Sequence, residues 1–279
     1  MSELRTIVRH AGTVLVGQLA TMAFGVADTV IAGRFRTDAL AALSVGSAVY
    51  VSIFVALIGA VQAQLPVWAE LRGAGRGPEV GRSVRQALYL CALATVLGMA
   101  ALLAPGPLLH WAQVPPLLQG EVQAYLAILS LALPPALLFR AYSTLNQALG
   151  KPVLVTWLQM ASLAVKVPLS VWFTFGGFGL PALGLAGCAW ATVLVNYLLV
   201  LLALWTLRTQ PLYTPYGIWH RLERPDWAVL RAFARLGVPT ALSVMVEVTS
   251  FTLMALFIAR QGAEAAASHQ IAANLTGVL

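Results

Sequence analysis

Seven stretches of roughly 20 or more mostly apolar residues follow one another along the chain, at 11–33, 39–65, 86–104, 122–146, 153–175, 184–207 and 233–259. An eighth opens at Glu264. Helices of that length cross the hydrocarbon of a bilayer, and only helices or closed barrels can do so with every backbone group bonded. The predicted fold class is therefore all-α, a polytopic membrane protein. Composition agrees: 59% of residues are hydrophobic and 10% charged, where soluble domains carry about 25% charged residues. The opening MSELRTIVRH is basic, but the apolar run behind it exceeds a signal-peptide core of about 7 to 15 residues, so it reads as a retained first helix. Cys91 and Cys188 fall inside apolar runs and read as small packing residues, with no disulfide expected.

Pro134 and Pro135 inside the fourth run predict a kink, because proline removes a backbone donor and clashes one turn back. Residues 208–232 turn polar and proline-bearing, through TQPLYTPYG and HRLERPDW. That is how a linker between two membrane units looks, and it divides the chain into a six-helix unit with its linker, 1–228, and the start of a second unit, 229–279. Of 17 Lys and Arg residues, 13 lie on the face that holds the N-terminus and only three, Arg34, Arg36 and Arg260, on the other. The bias places the N-terminus in the cytoplasm. The net charge of +7 thus reports topology; spread over short loops, it gives no nucleic-acid surface.

Asp28 stands alone in an otherwise uncharged stretch from Ala11 to Gly33. A charged side chain at a helix centre costs roughly 2.5 to 3.5 kcal/mol on insertion scales, so such a residue faces a cavity, a partner or a transported ion. A fainter pattern appears when the first and seventh runs are overlaid with a shift of about 225 residues. Gly12 then meets Gly237 and, after one residue of adjustment, Arg34 meets Arg260, Asp38 meets Glu264 and Val45 meets Ile271. With six spans between copies, the second would enter in the same orientation, as in parallel-repeat transporters.

Several segments carry a family resemblance: MAFGVADTVIAG, LPVWAELRGAGR, FRAYSTLNQALGKP, KVPLSVWFTFGGFGLPALGLAGCAWAT, RLGVPTALSVMVEVTSF and ASHQIAANL. In content and order they resemble the multidrug and toxic compound extrusion (MATE) transporters, specifically the bacterial NorM-like branch. The resemblance implies a twelve-helix protein of two six-helix lobes around a central cavity, exporting cationic or amphipathic drugs in exchange for sodium ions or protons. This chain would be the N-terminal lobe with the seventh and the start of the eighth helix. No cofactor or metal centre is implied, only a place for a sodium ion near Asp28.

By that resemblance Asp28 takes part in cation coupling, against the plainer reading of a carboxylate satisfied by neighbouring hydroxyls. Glu247 matches the family's acidic residue in the seventh span, where it would take up a proton or hold a cationic substrate; its plainer reading is a protonated acid bonded to Ser243 or Thr249. Lys166 and Ser170 depart from the family, which carries Asn or Asp there, one turn apart. Lys166 lies about ten residues from the outer end of its helix and Asp28 about six, a depth difference of about 6 Å that a lysine stem bridges. Either Lys166 pairs with Asp28, its ammonium standing where a coupling cation would sit, or it snorkels to water in the cavity. Gln159, Ser162 and Tyr142 are lesser cavity-polar candidates, which interhelical hydrogen bonding also explains.

Other classes fare worse. An intramembrane enzyme would need clustered acid, base or ligand residues, yet His10, His110, His220 and His269 are scattered. A seven-helix receptor of the retinal type would carry its lysine in the last helix, not the fifth. A lipid-linked sugar flippase of the same superfamily is the stronger alternative and would favour a cationic cavity, whereas Asp28 and Glu247 favour cationic cargo. The expected setting is a bacterial inner membrane, with lipid and small cationic or amphipathic drugs as partners and a C-terminal lobe required for function.

Overall fold

A computed structural model describes residues 2–106, 109, 116–177, 179 and 181–259. The opening of the eighth run, with Glu264 and His269, lies outside them. The described chain forms α1 (Ser2–Phe35), α2 (Thr37–Gln62), α3 (Leu65–Gly73), α4 (Gly77–Leu103), α5 (Pro116–Ser130), α6 (Leu133–Ala148), α7 (Pro152–Phe175), α8 (Leu185–Thr209), a 3₁₀ turn (Pro211–Tyr216) and α9 (Trp227–Ala259). Each apolar run lies on helix. Six spans meet the length and apolarity needed to cross a membrane, α2 and α3 running together as one, and the pair α5 and α6 supplies a seventh if counted together.

Proline marks the helix starts. Pro66, Pro78, Pro134 and Pro152 occupy the first turns of α3, α4, α6 and α7, where their missing N–H costs nothing. The expected kink is there: α5 and α6 are bent by 48° across Leu131 and Ala132. Pro134 and Pro135 cannot donate to the carbonyls of Ser130 and Leu131, so the chain closes with two tighter bonds, Leu131 N to Ile128 O at 3.0 Å and Ala132 N to Leu129 O at 2.9 Å. Helix α4 starts nine residues before the apolar run at 86–104; within GPEVGRSVR, Val80, Ser83 and Arg85 are buried while Glu79 and Arg82 stay exposed.

Packing rests on small residues. A Cβ on Gly59 would come within 2.7 Å of the Ala241 backbone, and one on Gly237 within 3.1 Å of Ala60. Helices α2 and α9 thus cross nearly backbone to backbone, the close approach that membrane helices use to gain dispersion contact. Gly187 brings the start of α8 against Phe173 and Thr174 of α7, where a Cβ would lie 2.5 Å from backbone. Outward-facing Leu97, Trp157, Leu201 and Trp205 are each more than half exposed, an arrangement suited to a lipid-facing surface.

The segment from 208 to 226 differs from a free linker. Its 3₁₀ turn buries Tyr213, and the coil beyond is fastened to the first turns of α4. Arg85 donates to Gly217 O at 2.7 Å and to Glu223 Oε1 at 2.8 Å. Arg82 pairs with Glu223 and Asp226, Gln86 bonds Arg224 O and Asp226 N, and Tyr89 donates to Glu223 O. The hydrogen bond from Arg85, partly offset by desolvation, and the nearby charge of Arg82 hold the Glu223 carboxyl below its ordinary value of 4.5. Asp226 then caps α9, its Oδ1 accepting from Ala228 N at 3.0 Å and Val229 N at 3.4 Å. Polar composition marks the segment correctly as a connection, but its polar groups serve to dock it.

Candidate functional site

Helix α7 carries a polar stripe on its buried face. Ser162, Lys166, Ser170 and Thr174 recur every fourth residue and all are buried, while Trp157, Val165, Val167, Val171 and Trp172 point outward and are exposed. A spacing of four keeps side chains on one side of a helix. In lipid the outward face is apolar, so polar groups collect on the face turned to other helices. Phe24 and Asp28 repeat the same spacing on α1, which packs along α7. The two faces meet at Asp28.

Of the two arrangements open to Lys166, pairing with Asp28 is the one observed. Lys166 Nζ lies 2.6 Å from Asp28 Oδ2, with the lysine side chain 2% and the aspartate side chain 10% exposed. Ser170 Oγ donates to Asp28 Oδ1 at 3.4 Å, at the long limit of a hydrogen bond. The ammonium also sits 4.8 Å from the centroid of the Phe24 ring, within cation–π range. Further along the stripe, Thr174 Oγ1 is engaged with Cys188 Sγ of α8 at 3.3 Å. The arrangement holds two opposite charges in contact, shielded from water, with one hydroxyl and one aromatic face against them. Among the described residues no group of three or more His, Cys, Asp or Glu side chains is placed to hold a metal ion.

The other candidates are not brought to this point. Ser162 Oγ donates to Gln159 O at 2.7 Å. Gln159 lines a narrow cleft between α1, α6 and α7 with Gly17, Arg140, Ser143, Gln147 and Thr156. Its volume of about 20 Å³ is room for one water. Tyr142 belongs to a separate buried network: its hydroxyl bonds Thr206 Oγ1 at 2.9 Å, and Tyr213 reaches both Tyr142, at 3.4 Å, and Asn146 Oδ1, at 2.7 Å. This network seats the 3₁₀ turn against α6 and α8. Burial, reinforced by the neighbouring Tyr142 hydroxyl, pushes the Tyr213 hydroxyl above its ordinary value. Glu247 lies on α9, and its side chain is outside the described residues.

Two residues escape a reading based on charge alone. Phe24 is revealed only by its spacing of four from Asp28. Arg140 lies at the cleft, and with the Gln62 amide turned to satisfy both its ends, the Gln62 oxygen accepts from Arg140 Nε at 3.3 Å and Nη2 at 2.5 Å. Among the described residues no carboxylate pairs with Arg140. Arg140 falls inside the fourth apolar run, 122–146, and the bias of basic residues toward the face that holds the N-terminus accounts for it without a partner.

Comparison with known proteins places this geometry. The family model described as MatE matches residues 14–172. A probable multidrug resistance protein NorM of Aromatoleum aromaticum is 39% identical over 98% of this chain and 59% of its own length. The multidrug resistance protein PmpM of Pseudomonas aeruginosa is 31% identical over 100% of the chain and 58% of its own. Among solved structures, the MATE transporter VcmN of Vibrio cholerae in its bent form superposes with a TM-score of 0.84 at 20% identity, covering 97% of this chain and 60% of VcmN. That likeness establishes the fold. The chain spans about three fifths of the length of the relatives it matches.

Proposed function

The chain belongs to the MatE family, and from that premise we propose that it forms the first lobe, and the opening of the second, of a secondary active exporter. The exporter removes cationic or amphipathic compounds in exchange for protons or sodium ions. The observation that carries this reading is Asp28: a carboxylate buried between α1 and α7, with one counter-charge and one hydroxyl as partners. Such a group is costly to keep at membrane depth and is expected where ions are handled. Two lobes rock about a central cavity, and ion binding at Asp28 reshapes the first lobe in favour of drug release. Glu247 attracts the cationic cargo from the seventh span. The protein resides in a bacterial inner membrane with its N-terminus in the cytoplasm, uses no cofactor and catalyses no covalent reaction. The second lobe is needed for transport.

One observation favours the lipid-linked sugar flippase as a second reading. Lys166 neutralises Asp28, and Arg140 adds a half-buried cation without a carboxylate partner among the described residues. An anionic cargo would suit that balance better than a cationic one.

Ethidium efflux from cells lacking other exporters separates the two. The chain completed by a second six-helix lobe is compared with the same protein carrying Asp28→Asn, at matched membrane levels. Efflux lost on substitution supports ion-coupled export through Asp28. Efflux that survives moves coupling to Glu247 or the second lobe, and none from the completed protein overturns the exporter reading in favour of the flippase.

A further inference from the structure

We infer that Lys166 is a built-in counter-cation for Asp28, so that this site exchanges a proton against the protein's own lysine and leaves no place for sodium. The inference rests on the reading of Asp28 as a coupling group and specifies which ion it couples. With Nζ 2.6 Å from Oδ2, the ammonium occupies the direct approach to one carboxylate oxygen, and its side chain is 2% exposed. The other oxygen meets Ser170 Oγ at 3.4 Å. A hard cation requires a shell of oxygen ligands. Here it would find two carboxylate oxygens, one held by the ammonium and one met by Ser170, with one serine hydroxyl and the face of Phe24, while the Thr174 hydroxyl is engaged with Cys188.

Charge counting separates the two ions. The pair is neutral. Sodium entering beside it leaves a net charge of +1 and two mutually repelling cations in a dry site, so it binds only after the tethered ammonium has left. A proton needs no shell. It forms an O–H bond to the carboxylate, the ionic contact with Nζ breaks, and Lys166 keeps its three protons. The site again carries +1, but now on a flexible stem that can carry it toward water. That freed charge also repels cationic cargo, which links proton uptake to drug release.

Among the described residues, few titratable groups face the pair from the elements around it. Tyr125 of α5 and Cys188 of α8 lie within electrostatic reach of Asp28, and Tyr50 of α2 adjoins Tyr125. Neither tyrosine nor cysteine in an apolar setting ionises near neutral pH. Asp28 and Lys166 are thus the charges that the exchange involves.

The test uses the 279-residue chain in lipid nanodiscs. Infrared difference spectroscopy follows the carboxylic-acid C=O band that appears on acidification, assigned to Asp28 by its loss in Asp28→Asn. Titrations are run in sodium chloride and in choline chloride at equal ionic strength. The wild-type midpoint is expected at the same pH in both salts. In Lys166→Gln, sodium at ten times its Kd should lower the midpoint by about one unit. A wild-type midpoint that moves with sodium overturns the inference, as does indifference to sodium in Lys166→Gln. Should that variant fail to fold, the wild type still decides, and Lys166→Arg, which keeps the fixed charge, is expected to ignore sodium. These readouts do not depend on efflux, so a failure of the exporter reading remains distinguishable from a failure of this one.

Discussion

Removing one partner of the Asp28–Lys166 pair should cost more stability than removing both. Lys166→Met leaves the Asp28 carboxylate buried with only the long Ser170 contact, and Asp28→Leu leaves a buried ammonium over the Phe24 ring. Both side chains are at most 10% exposed, so the surface-pair discount does not apply. Breaking a buried pair from one side costs about 3 to 5 kcal/mol, roughly 150- to 4,000-fold in the folding equilibrium. Replacing both, as Asp28→Leu with Lys166→Met, removes the desolvation penalty along with the attraction and should lie near wild type or up to about 4 kcal/mol above it. Unfolding in mixed detergent and sodium dodecyl sulfate micelles, followed by tryptophan fluorescence, gives the four corners of the cycle. Single substitutions that each cost under about 1 kcal/mol would mean the charges are solvated. A double variant as unstable as the sum of the singles would mean that the contact at 2.6 Å adds no coupling, and either result refutes the reasoning.

Three further outcomes follow from the docked connection. Gly81→Ala places a Cβ 1.8 Å from Tyr216 O, and because the obstacle is backbone the segment must lift; trypsin should then cut after Arg221 faster than in the wild type. Tyr213→Phe strips Asn146 Oδ1 of its bond at 2.7 Å and should destabilise by about 1 to 3 kcal/mol, read by the same micelle unfolding. Because the folded Glu223 carboxyl is held below 4.5, its stabilising contribution is present above that pH and lost as pH falls through the folded value. Protection of the amides in 217–226, taken relative to their intrinsic exchange rates at each pH, should therefore fall on acidification in the wild type, whereas Glu223→Gln should show low protection throughout.

Much of this architecture is legible because lipid simplifies the problem. A bilayer requires every spanning segment to be helical and apolar, so the apolar runs show where α1, α2, α4, α7, α8 and α9 lie, and Pro134-Pro135 shows where the fourth span breaks. The ends are less legible. Helix α4 begins in GPEVGRSVR because an amphipathic first turn leaves no apolar run to count. The docked connection is invisible for a similar reason: a polar, proline-bearing segment reads alike whether its groups face water or Arg85.

The site divides along the same physical line. Asp28 and Lys166 stand out because charge is rare at membrane depth, and helix rise alone brings them to comparable depth. What rise cannot give is azimuth, the direction in which each helix turns its side chains. That information is present in the spacing of four shared by Phe24 with Asp28 and by Ser162, Lys166, Ser170 and Thr174, which fixes one face on each helix before any partner is known. Arg140 has no such signal, since the residues that surround it come from α1, α2 and α7, far apart in sequence. Arg140, without a carboxylate partner among the described residues, is thus placed by tertiary packing. The paired charges are a product of depth and periodicity, and for that reason a sequence carrying Lys and Asp on polar stripes of adjacent helices at matched depth can be expected to bury them as a contact.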